Sequence, residues 1–222
     1  MSYYNLTFSN LRPLDPIQVP ILRVDSDHGQ APRRAIEALR QGRVIVYPTD
    51  TVYGVGCRID DEQAVRRIFE LKRRPPNEPL PILLADPGQV ETYVRGVSAA
   101  ARGLIARFWP GALTLIFPRS DRVPPVVAGG GDTVAVRVPG HPVPRALARA
   151  ISVPIVGTSA NSHGMPPPPT AQLAIYDLGD RVDLVLDGGR AVLGRESTVV
   201  DVTGNVPRVV REGAIPVRDL GV

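Results

Sequence analysis

The sequence predicts an α/β fold built around one mixed β-sheet. Short apolar segments rich in β-branched residues alternate with amphipathic segments of helical period along most of the chain. The last three apolar segments follow one another without a helix between them. Alternating strands and helices favour parallel neighbours, and consecutive strands add antiparallel ones, so the sheet should be mixed. The composition agrees, because 222 residues that are 43% hydrophobic and 22% charged are typical of a folded domain.

The helices are predicted from apolar periodicity and from the residues that start or stop a helix. Asp60 and Asp61 can cap the second helix, and Pro75 and Pro76 end it. Ser98 can cap the third. The predicted helices cover Pro32–Gln41, Glu62–Arg73, Ser98–Phe108, Val143–Ile151 and Thr170–Leu178.

The strands are predicted from short apolar runs between turn residues. Arg43–Tyr47 is apolar on both faces, which indicates a central strand. Gly54 and Gly56 weaken any strand in the segment that follows it but allow close approach of the backbone. We expect residues 1–28 to form an irregular arm and residues 29–222 to form a single domain. The predicted strands cover Ile21–Val24, Arg43–Tyr47, Pro81–Ala85, Ala112–Phe117, Thr133–Val138, Ile155–Thr158, Val182–Leu186, Ser197–Val202 and Arg208–Glu212.

Several classes of protein are excluded by what the sequence lacks. No apolar run is long enough to span a membrane, and the N-terminus does not resemble a secretory signal, so we expect a cytoplasmic protein. The single Cys57 and three scattered histidines argue against disulfides and transition-metal sites. The glycine motifs of P-loop, dinucleotide-binding and serine hydrolase folds are absent. Magnesium held by substrate phosphates stays open.

The basic residues are unevenly divided between arginine and lysine. The formal net charge is +4, and of the 26 basic residues only Lys72 is a lysine. Genome composition is the favoured explanation of the arginine excess, with an anionic partner as the alternative. Lys72 lies at a predicted helix C-terminus, where a cation complements the helix dipole. A site that needs a compact charge explains the sole lysine equally well.

Polar clusters follow or interrupt the predicted strands, where α/β sheets bind their ligands, and one further cluster lies at the C-terminus of the second predicted helix. They contain cations and hydroxyls but no evident pair of histidine and carboxylate. Such a set suits the binding and positioning of anions, as in phosphoryl or nucleotidyl transfer. The clusters are Thr49-Asp50-Thr51, Lys72-Arg73-Arg74, Arg137, Gly157–Ser162, and Ser197-Thr198 with Arg211.

These segments together resemble the motifs of the YrdC-like family of threonylcarbamoyl-AMP synthases. The resemblance covers about residues 30–215, and its motifs occur in the order of the family. The matching segments are Tyr47–Gly54, Lys72 with Arg74, Phe108–Leu115, Val134–Pro139, Ser159 with Asn161, Glu196–Val202, and Arg211 with Gly213.

The resemblance implies a catalytic domain with a twisted open sheet, helices around it and a basic concave cavity. It implies that L-threonine, bicarbonate and ATP, with Mg²⁺, give threonylcarbamoyl-AMP and pyrophosphate. The product would serve threonylcarbamoyl-adenosine modification of tRNA through downstream tRNA-modifying transferase proteins, with weak tRNA contact.

The family pattern also implies roles for individual residues. It places Thr51, Arg137 and Ser197 around threonine. It implies no certain catalytic residue, assigns substrate positioning to Lys72 and Arg74, and leaves Mg²⁺ mainly to the ATP phosphates. The residues implied to bind ATP are Lys72, Arg74, Thr133, Ser159, Asn161 and Arg211.

The chain departs from the family pattern at two positions. Glu78 stands where a basic or amide residue is usual, and Leu83 where some members have histidine. The C-terminal domain of longer members is absent, so the short stand-alone form is expected.

An RNA-binding paralogue without synthase activity is the main alternative, although no aromatic and basic stacking cluster supports it. A carbamoyl transferase of the hydrogenase-maturation kind would need a much larger chain.

Overall fold

The computed structural model describes residues 19–24 and 32–221, and within them the chain forms α-helices and β-strands in alternation. The helices are α1 (Arg33–Arg40), α2 (Glu62–Lys72), α3 (Val90–Tyr93), α4 (Ala99–Phe108), α5 (Pro142–Ile151), α6 (Ala171–Leu178) and α7 (Val217–Leu220). The strands are β1 (Ile21–Arg23), β2 (Ile45–Tyr47), β3 (Gly54–Gly56), β4 (Ile82–Leu83), β5 (Leu113–Pro118), β6 (Thr133–Arg137), β7 (Ile155–Val156), β8 (Thr158–Ser159), β9 (Leu184–Asp187), β10 (Thr198–Asp201) and β11 (Arg208–Arg211).

The strands form two mixed sheets where one was expected. One sheet has the order β1-β9-β2-β3-β8, and the other has the order β11-β10-β5-β6-β4-β7. Both contain parallel and antiparallel pairs. In the five-stranded sheet β2 is parallel to β9 and antiparallel to β3, and in the six-stranded sheet β5 is parallel to β10 and antiparallel to β6. The mixed α/β class is therefore confirmed.

The single strand predicted at Ile155–Thr158 breaks at Gly157, where the chain crosses from one sheet to the other. β7 pairs with β4, whereas β8 pairs with β3. The Gly157 N–H donates instead to the carbonyl of Pro81, and a Cβ on Gly157 would lie 2.4 Å from the side chain of Leu83. Only glycine fits this crossing, which brings β8 beside the segment that follows β2.

Strand β2 is central and buried on both faces, as predicted. Ile45 and Tyr47 pack with α1 and α5 in a smaller core, whereas Val44 and Val46 face the larger core. This alternation is the two-residue period of a strand with apolar cover on both sides. The segment directly after β2 is therefore held by a rigid base.

Strand β3 forms despite its two glycines, contrary to the expectation that they weaken it. Val55 pairs with Val46 of β2. A Cβ on Gly56 would lie 1.9 Å from the carbonyl oxygen of Val156, and one on Gly54 would lie 2.8 Å from the ring of Tyr47. The glycines thus permit close packing that local strand propensity does not reveal.

The long helices follow the prediction closely. Asp61, Ser98 and Thr170 accept hydrogen bonds from backbone N–H groups in the first turns of α2, α4 and α6. The short helices α3 and α7 were not predicted. Within the described residues no helix is both long and apolar enough to cross a membrane.

Most of the predicted N-terminal arm, and its boundary with the domain, lie outside the described residues. The predicted strand Ile21–Val24 is present as β1, which pairs in parallel with β9. This pairing makes β1 an edge strand of the five-stranded sheet.

Candidate active site

A cavity of about 220 Å³ is lined by residues of both sheets. Of the site residues predicted from the sequence, Thr51, Arg74, Arg137, Ser159, Ser197 and Arg211 line it. Lys72, Thr133 and Asn161 are not among the lining residues. The polar residues that line it are Tyr47, Thr49, Thr51, Tyr53, Arg74, Thr114, Arg137, Thr158, Ser159, Glu196, Ser197 and Arg211.

Arg137, the last residue of β6, is buried and held on three sides. Its Nε donates to the carbonyl of Gly111 at 2.8 Å, Nη1 donates to Thr51 Oγ1 at 2.8 Å, and Nη2 donates to Asp50 Oδ1 at 2.6 Å. Burial lowers the pKa of Arg137, and the Asp50 carboxylate opposes that change. The guanidinium has more N–H groups than these bonds use, so donors remain for an anion in the cavity.

Two threonine hydroxyls after β2 form a chain with a fixed direction. Thr49 Oγ1 donates to the carbonyl of Val52 at 2.6 Å and lies 2.9 Å from Thr51 Oγ1. Because each hydroxyl has one proton, Thr51 donates to Thr49 while it accepts from Arg137. Thr51 therefore offers a ligand an acceptor and no donor.

A second hydroxyl pair stands on β5 and just before β10. Thr114 Oγ1 and Ser197 Oγ are buried and 2.8 Å apart, so the pair has one further proton to donate. Arg211 fixes this segment, because it donates to the carbonyl of Ser197 at 2.9 Å and pairs with Glu196 at 2.9 Å. A Cβ on Gly213 would lie 2.3 Å from the carbonyl oxygen of Glu196, which explains the glycine of the R-x-G motif.

Lys72 lies under the loop that follows β8. It is only 2% exposed, and its Nζ donates to the carbonyls of Ser159 and Asn161. The backbone carbonyl of Lys72 accepts from the N–H of His163 at 2.7 Å. Burial, with a smaller contribution from Arg74, lowers the pKa of Lys72 to about 8. Lys72 thus fastens the loop, a role that neither of the two sequence-based alternatives contains.

The same loop leaves one polar atom without a partner. Asn161 is 5% exposed, and its Nδ2 donates to the carbonyls of Ser162, at 3.0 Å, and Met165. Its Oδ1 is the buried side-chain atom that has no hydrogen-bond partner among the described residues. Asp177 accepts from both the N–H and the hydroxyl of Ser162, which holds the loop from behind. Asn161 Oδ1 is therefore a candidate acceptor for a ligand.

Arg74 lines the cavity next to the unusual Glu78. Its Nη2 donates to the carbonyl of Pro79 at 3.0 Å and lies 3.4 Å from Glu78 Oε2. Burial lowers the pKa of Arg74, and Glu78 opposes that change. The same carboxylate oxygen lies 3.8 Å from His163 Nδ1. Glu78 is not a lining residue, so it faces Arg74 rather than the cavity.

The family pattern also singles out Thr133 and Leu83, which lie at different distances from the cavity. Thr133 begins β6, four positions before Arg137, which places it about 13 Å away along the strand. Thr133 is not itself a lining residue, but Ala135, two positions later on the same face of β6, is, so Thr133 faces the side of the strand that borders the cavity. Leu83, where some members have histidine, lines the cavity and lies against Gly157.

Sequence reasoning gave no role to four polar residues that line the cavity: Tyr47, Tyr53, Thr114 and Glu196. Tyr47 and Tyr53 belong to the motif around the end of β2, and Glu196 to the motif before β10. The Tyr53 hydroxyl donates to the carbonyl of Gly189 at 2.6 Å, and burial raises the pKa of Tyr53 to about 12. Thr114 could have been noticed as the one polar residue among the apolar residues of its strand.

The fold and the site together define an α/β protein with a cavity that is lined by arginines and hydroxyl groups. Comparison with known proteins gives the family. The family model described as "Telomere recombination", for Sua5, YciO and YrdC, matches residues 37–213. The chain belongs to this family, and the resemblance inferred from the motifs is confirmed.

Curated relatives have threonylcarbamoyl-AMP synthase as their name. The relative from Pyrococcus abyssi is 42% identical over 188 residues, which are 85% of this chain and 55% of the relative. The relative from Chromobacterium violaceum is 39% identical over 179 residues, 81% of this chain and 91% of the relative. The chain spans about half the length of the Pyrococcus abyssi and Bacillus subtilis relatives, 55% and 53%.

Solved structures share the fold. The crystal structure of P. abyssi Sua5 complexed with L-threonine has a TM-score of 0.84 and 39% identity, and covers 91% of this chain and 59% of that one. The crystal structure of E. coli YciO has a TM-score of 0.80 and 31% identity, and covers 91% of this chain and 98% of that one.

Proposed function

We propose that the protein is an L-threonylcarbamoyladenylate synthase. L-Threonine, bicarbonate and ATP would give threonylcarbamoyl-AMP, pyrophosphate and water. The observation that carries the proposal is the meeting of the Thr51–Arg137 pair and the Thr114–Ser197 pair in one cavity. The names of the relatives favour this synthase over the RNA-binding alternative.

The two pairs supply complementary contacts for an amino acid that carries a hydroxyl. The spare N–H groups of Arg137 would bind the carboxylate, and Thr51 Oγ1 would accept from the ammonium group. The free proton of the Thr114–Ser197 pair would be donated to the hydroxyl of the substrate. The structure of P. abyssi Sua5 complexed with L-threonine supports threonine as the amino acid.

The nucleotide is proposed to occupy the side of the cavity formed by Arg74 and the loop after β8. Arg74 and Arg211 would neutralise phosphate charge, and Ser159 lines the cavity beside them. Asn161 Oδ1 would accept from the nucleotide, since an unpaired buried acceptor costs about 1–3 kcal/mol. Thr133 stays a predicted nucleotide contact, because it shares a face of β6 with the lining residues Ala135 and Arg137.

Magnesium is proposed to enter with the nucleotide. The described residues contain no group of three or more histidine, cysteine, aspartate or glutamate side chains that could hold a metal ion. Glu196 lines the cavity but is paired with Arg211. The ion would therefore be held mainly by phosphate oxygens, and no step is assigned to it.

The proposed reaction depends more on the positioning of the three substrates than on acid–base groups of the protein. The amine nitrogen of threonine attacks the carbon of CO₂ derived from bicarbonate, and water and a proton are released. An oxygen of the resulting carbamate attacks the α-phosphorus of ATP, and the bond to the β-phosphate breaks to release pyrophosphate. The arginines would stabilise charge on the phosphates. The product is a reactive mixed anhydride, so a transferase acting on tRNA is its proposed consumer.

We expect pyrophosphate release that depends on L-threonine and prefers it to L-valine by more than tenfold. Valine lacks the hydroxyl and leaves the Thr114–Ser197 proton unpaired in a buried site. The measurement is pyrophosphate release with ATP and bicarbonate, with each amino acid and with none. Equal release without any amino acid would contradict the proposal.

We expect Glu78→Gln to tighten ATP binding several-fold at low salt. The change frees Arg74 from its carboxylate partner and removes an anion near the phosphates. Two charges about 6 Å apart interact by roughly 3 kcal/mol at an effective dielectric of 20, and salt screens most of that. Calorimetry at two salt concentrations measures the change.

The matched control for this change is Glu62→Gln. Glu62 forms an exposed i,i+4 pair with Arg66 on α2 at 3.5 Å, outside the cavity. It should leave ATP affinity unchanged. An unchanged affinity in Glu78→Gln at low salt would show that the Arg74–Glu78 pair does not oppose the nucleotide.

A further inference from the structure

Asp50 is a carboxylate beside the site that no substrate contact explains. Its Oδ1 accepts from Arg137 Nη2 at 2.6 Å and from the N–H of Gly140 at 3.0 Å. The side chains of Arg137 and Asp50 are 7% and 16% exposed. Asp50 is not among the residues that line the cavity. Asp50 therefore contacts Arg137, which lines the cavity, without lining the cavity itself.

The Asp50 carboxylate has little freedom to move. The backbone carbonyl of Asp50 accepts from the N–H of Leu193 at 3.0 Å, which fixes the main chain from the opposite side. A Cβ on Gly140 would lie 3.1 Å from Asp50 Oδ2, so glycine allows the close approach. Both the main chain and the carboxylate of Asp50 are thus located by neighbours before any ligand binds.

Arg137 depends on this carboxylate for its orientation. Its other two bonds, to Gly111 and Thr51, are to neutral acceptors at the Nε and Nη1 ends of the guanidinium. The bond to Asp50 is the shortest of the three, and it holds Nη2, the terminal nitrogen that neither of the other two bonds uses. Without it Nη2 would have no fixed partner, and the contact of Nη1 with Thr51 would be less firmly held.

We propose that Asp50 is a positioning residue that aims the free N–H groups of Arg137 and the acceptor of Thr51 at the amino-acid substrate. This proposal rests on the function proposed above. Positioning Arg137 requires an acceptor oxygen at the place of Asp50 Oδ1. It does not require a negative charge there, because the charge of Asp50 would repel the carboxylate of the substrate.

If an oxygen at the position of Asp50 Oδ1 is what matters, two conservative substitutions of Asp50 should have different effects. Asp50→Asn keeps an oxygen for Arg137 and Gly140 but removes the charge. Asp50→Glu keeps the charge but moves the carboxylate by one methylene group, into a space already limited by Gly140. Asp50→Ala removes both oxygen and charge.

The test is steady-state kinetics of threonine-dependent pyrophosphate release by the full chain. We expect Asp50→Ala and Asp50→Glu to raise the KM for threonine at least tenfold, with the KM for ATP within threefold of the wild type. Asp50→Asn should keep the KM for threonine within threefold of the wild type. Should Asp50→Ala fail to fold, the comparison of Asn with Glu decides the question.

Asp183→Asn and Asp183→Ala are matched controls. The Asp183 carboxylate also accepts from an arginine, Arg67, and from a backbone N–H, that of Val44 at 2.8 Å, but lies outside the cavity. These changes should lower the melting temperature and leave both KM values unchanged.

Two results would overturn the proposal. One is an Asp50→Glu enzyme like the wild type beside an impaired Asp50→Asn, since charge rather than placement would then matter. The other is that none of the Asp50 substitutions changes the KM for threonine, or that each changes the KM for threonine no more than it changes the KM for ATP. Failure of the proposed function is a different result, because the wild type would then show no threonine-dependent pyrophosphate release at all.

Discussion

We expect Arg137→Ala to lower kcat/KM for threonine at least a hundredfold, a loss of about 2.7 kcal/mol of transition-state stabilisation. The change removes the proposed carboxylate contact and leaves Thr51 without its donor. It also leaves Asp50 nearly buried without its cation, and breaking such a pair costs about 3–5 kcal/mol. Pyrophosphate release and thermal unfolding measure the two effects.

Two further variants separate binding from stability at this pair. The double variant Asp50→Ala with Arg137→Ala removes both charges, so it should recover part of the lost stability without recovering activity. Arg137→Lys keeps the charge, but a single ammonium cannot replace a planar group that donates to Gly111, Thr51 and Asp50. Wild-type kcat/KM in Arg137→Ala would refute the role given to this residue.

We expect Lys72→Met to raise the KM for ATP at least tenfold and to lower the melting temperature. Methionine leaves the carbonyls of Ser159 and Asn161 without their donor, at about 1–3 kcal/mol for each unpaired group. The loop that carries the proposed nucleotide contacts then loses its anchor. Steady-state kinetics and thermal unfolding measure the two changes.

The pH dependence of ATP affinity checks that this effect comes from the Lys72 ammonium. Because the pKa of Lys72 is lowered to about 8, wild-type affinity should fall as pH rises from 7 to 9, whereas Lys72→Met should show no such fall. Stability should change in the opposite sense. Between pH 8 and 10.5 the unfolded chain keeps the Lys72 proton that the folded chain has lost, so this group makes stability rise with pH.

Arg73→Met is the neighbouring control. Arg73 follows α2 in a left-handed conformation, with φ of 52°, and does not line the cavity. ATP affinity and its pH dependence should match the wild type. If Lys72→Met and Arg73→Met had the same effect on ATP affinity and on its pH dependence, Lys72 would have no role beyond that of a cation at the C-terminus of a helix.

The long helices and the central strand could be predicted because their causes are local. Apolar residues at helical spacing and caps such as Asp61 and Ser98 act over one or two turns. The double-sided apolar pattern of β2 likewise needs no distant partner to be recognised. Strand β3 could not be predicted in this way, because its glycines are required by packing against Tyr47 and Val156.

The motifs identified most of the residues around the cavity but not what those residues bind. Arg137 was expected to face a substrate, and its pairing with Asp50 became visible only in three dimensions. Lys72 was assigned to the nucleotide, whereas its Nζ holds two loop carbonyls. Thr133 was placed with the ATP contacts by the family pattern; it does not line the cavity itself, although Ala135 on the same face of β6 does, and its role stays a prediction.

The sequence by itself determined the mixed α/β class, the central position of β2, the family and six of the residues that line the cavity. These properties follow from periodicity, composition and motifs within short segments. Only the tertiary structure decided the division into two sheets and the partners of the buried polar groups. Those partners are 83 residues apart for Thr114 and Ser197, and 87 apart for Arg137 and Asp50 and for Lys72 and Ser159. Over such separations the spacing in sequence does not predict the distance in space. A buried charge or hydroxyl pairs with whichever polar group the packing of the chain places beside it.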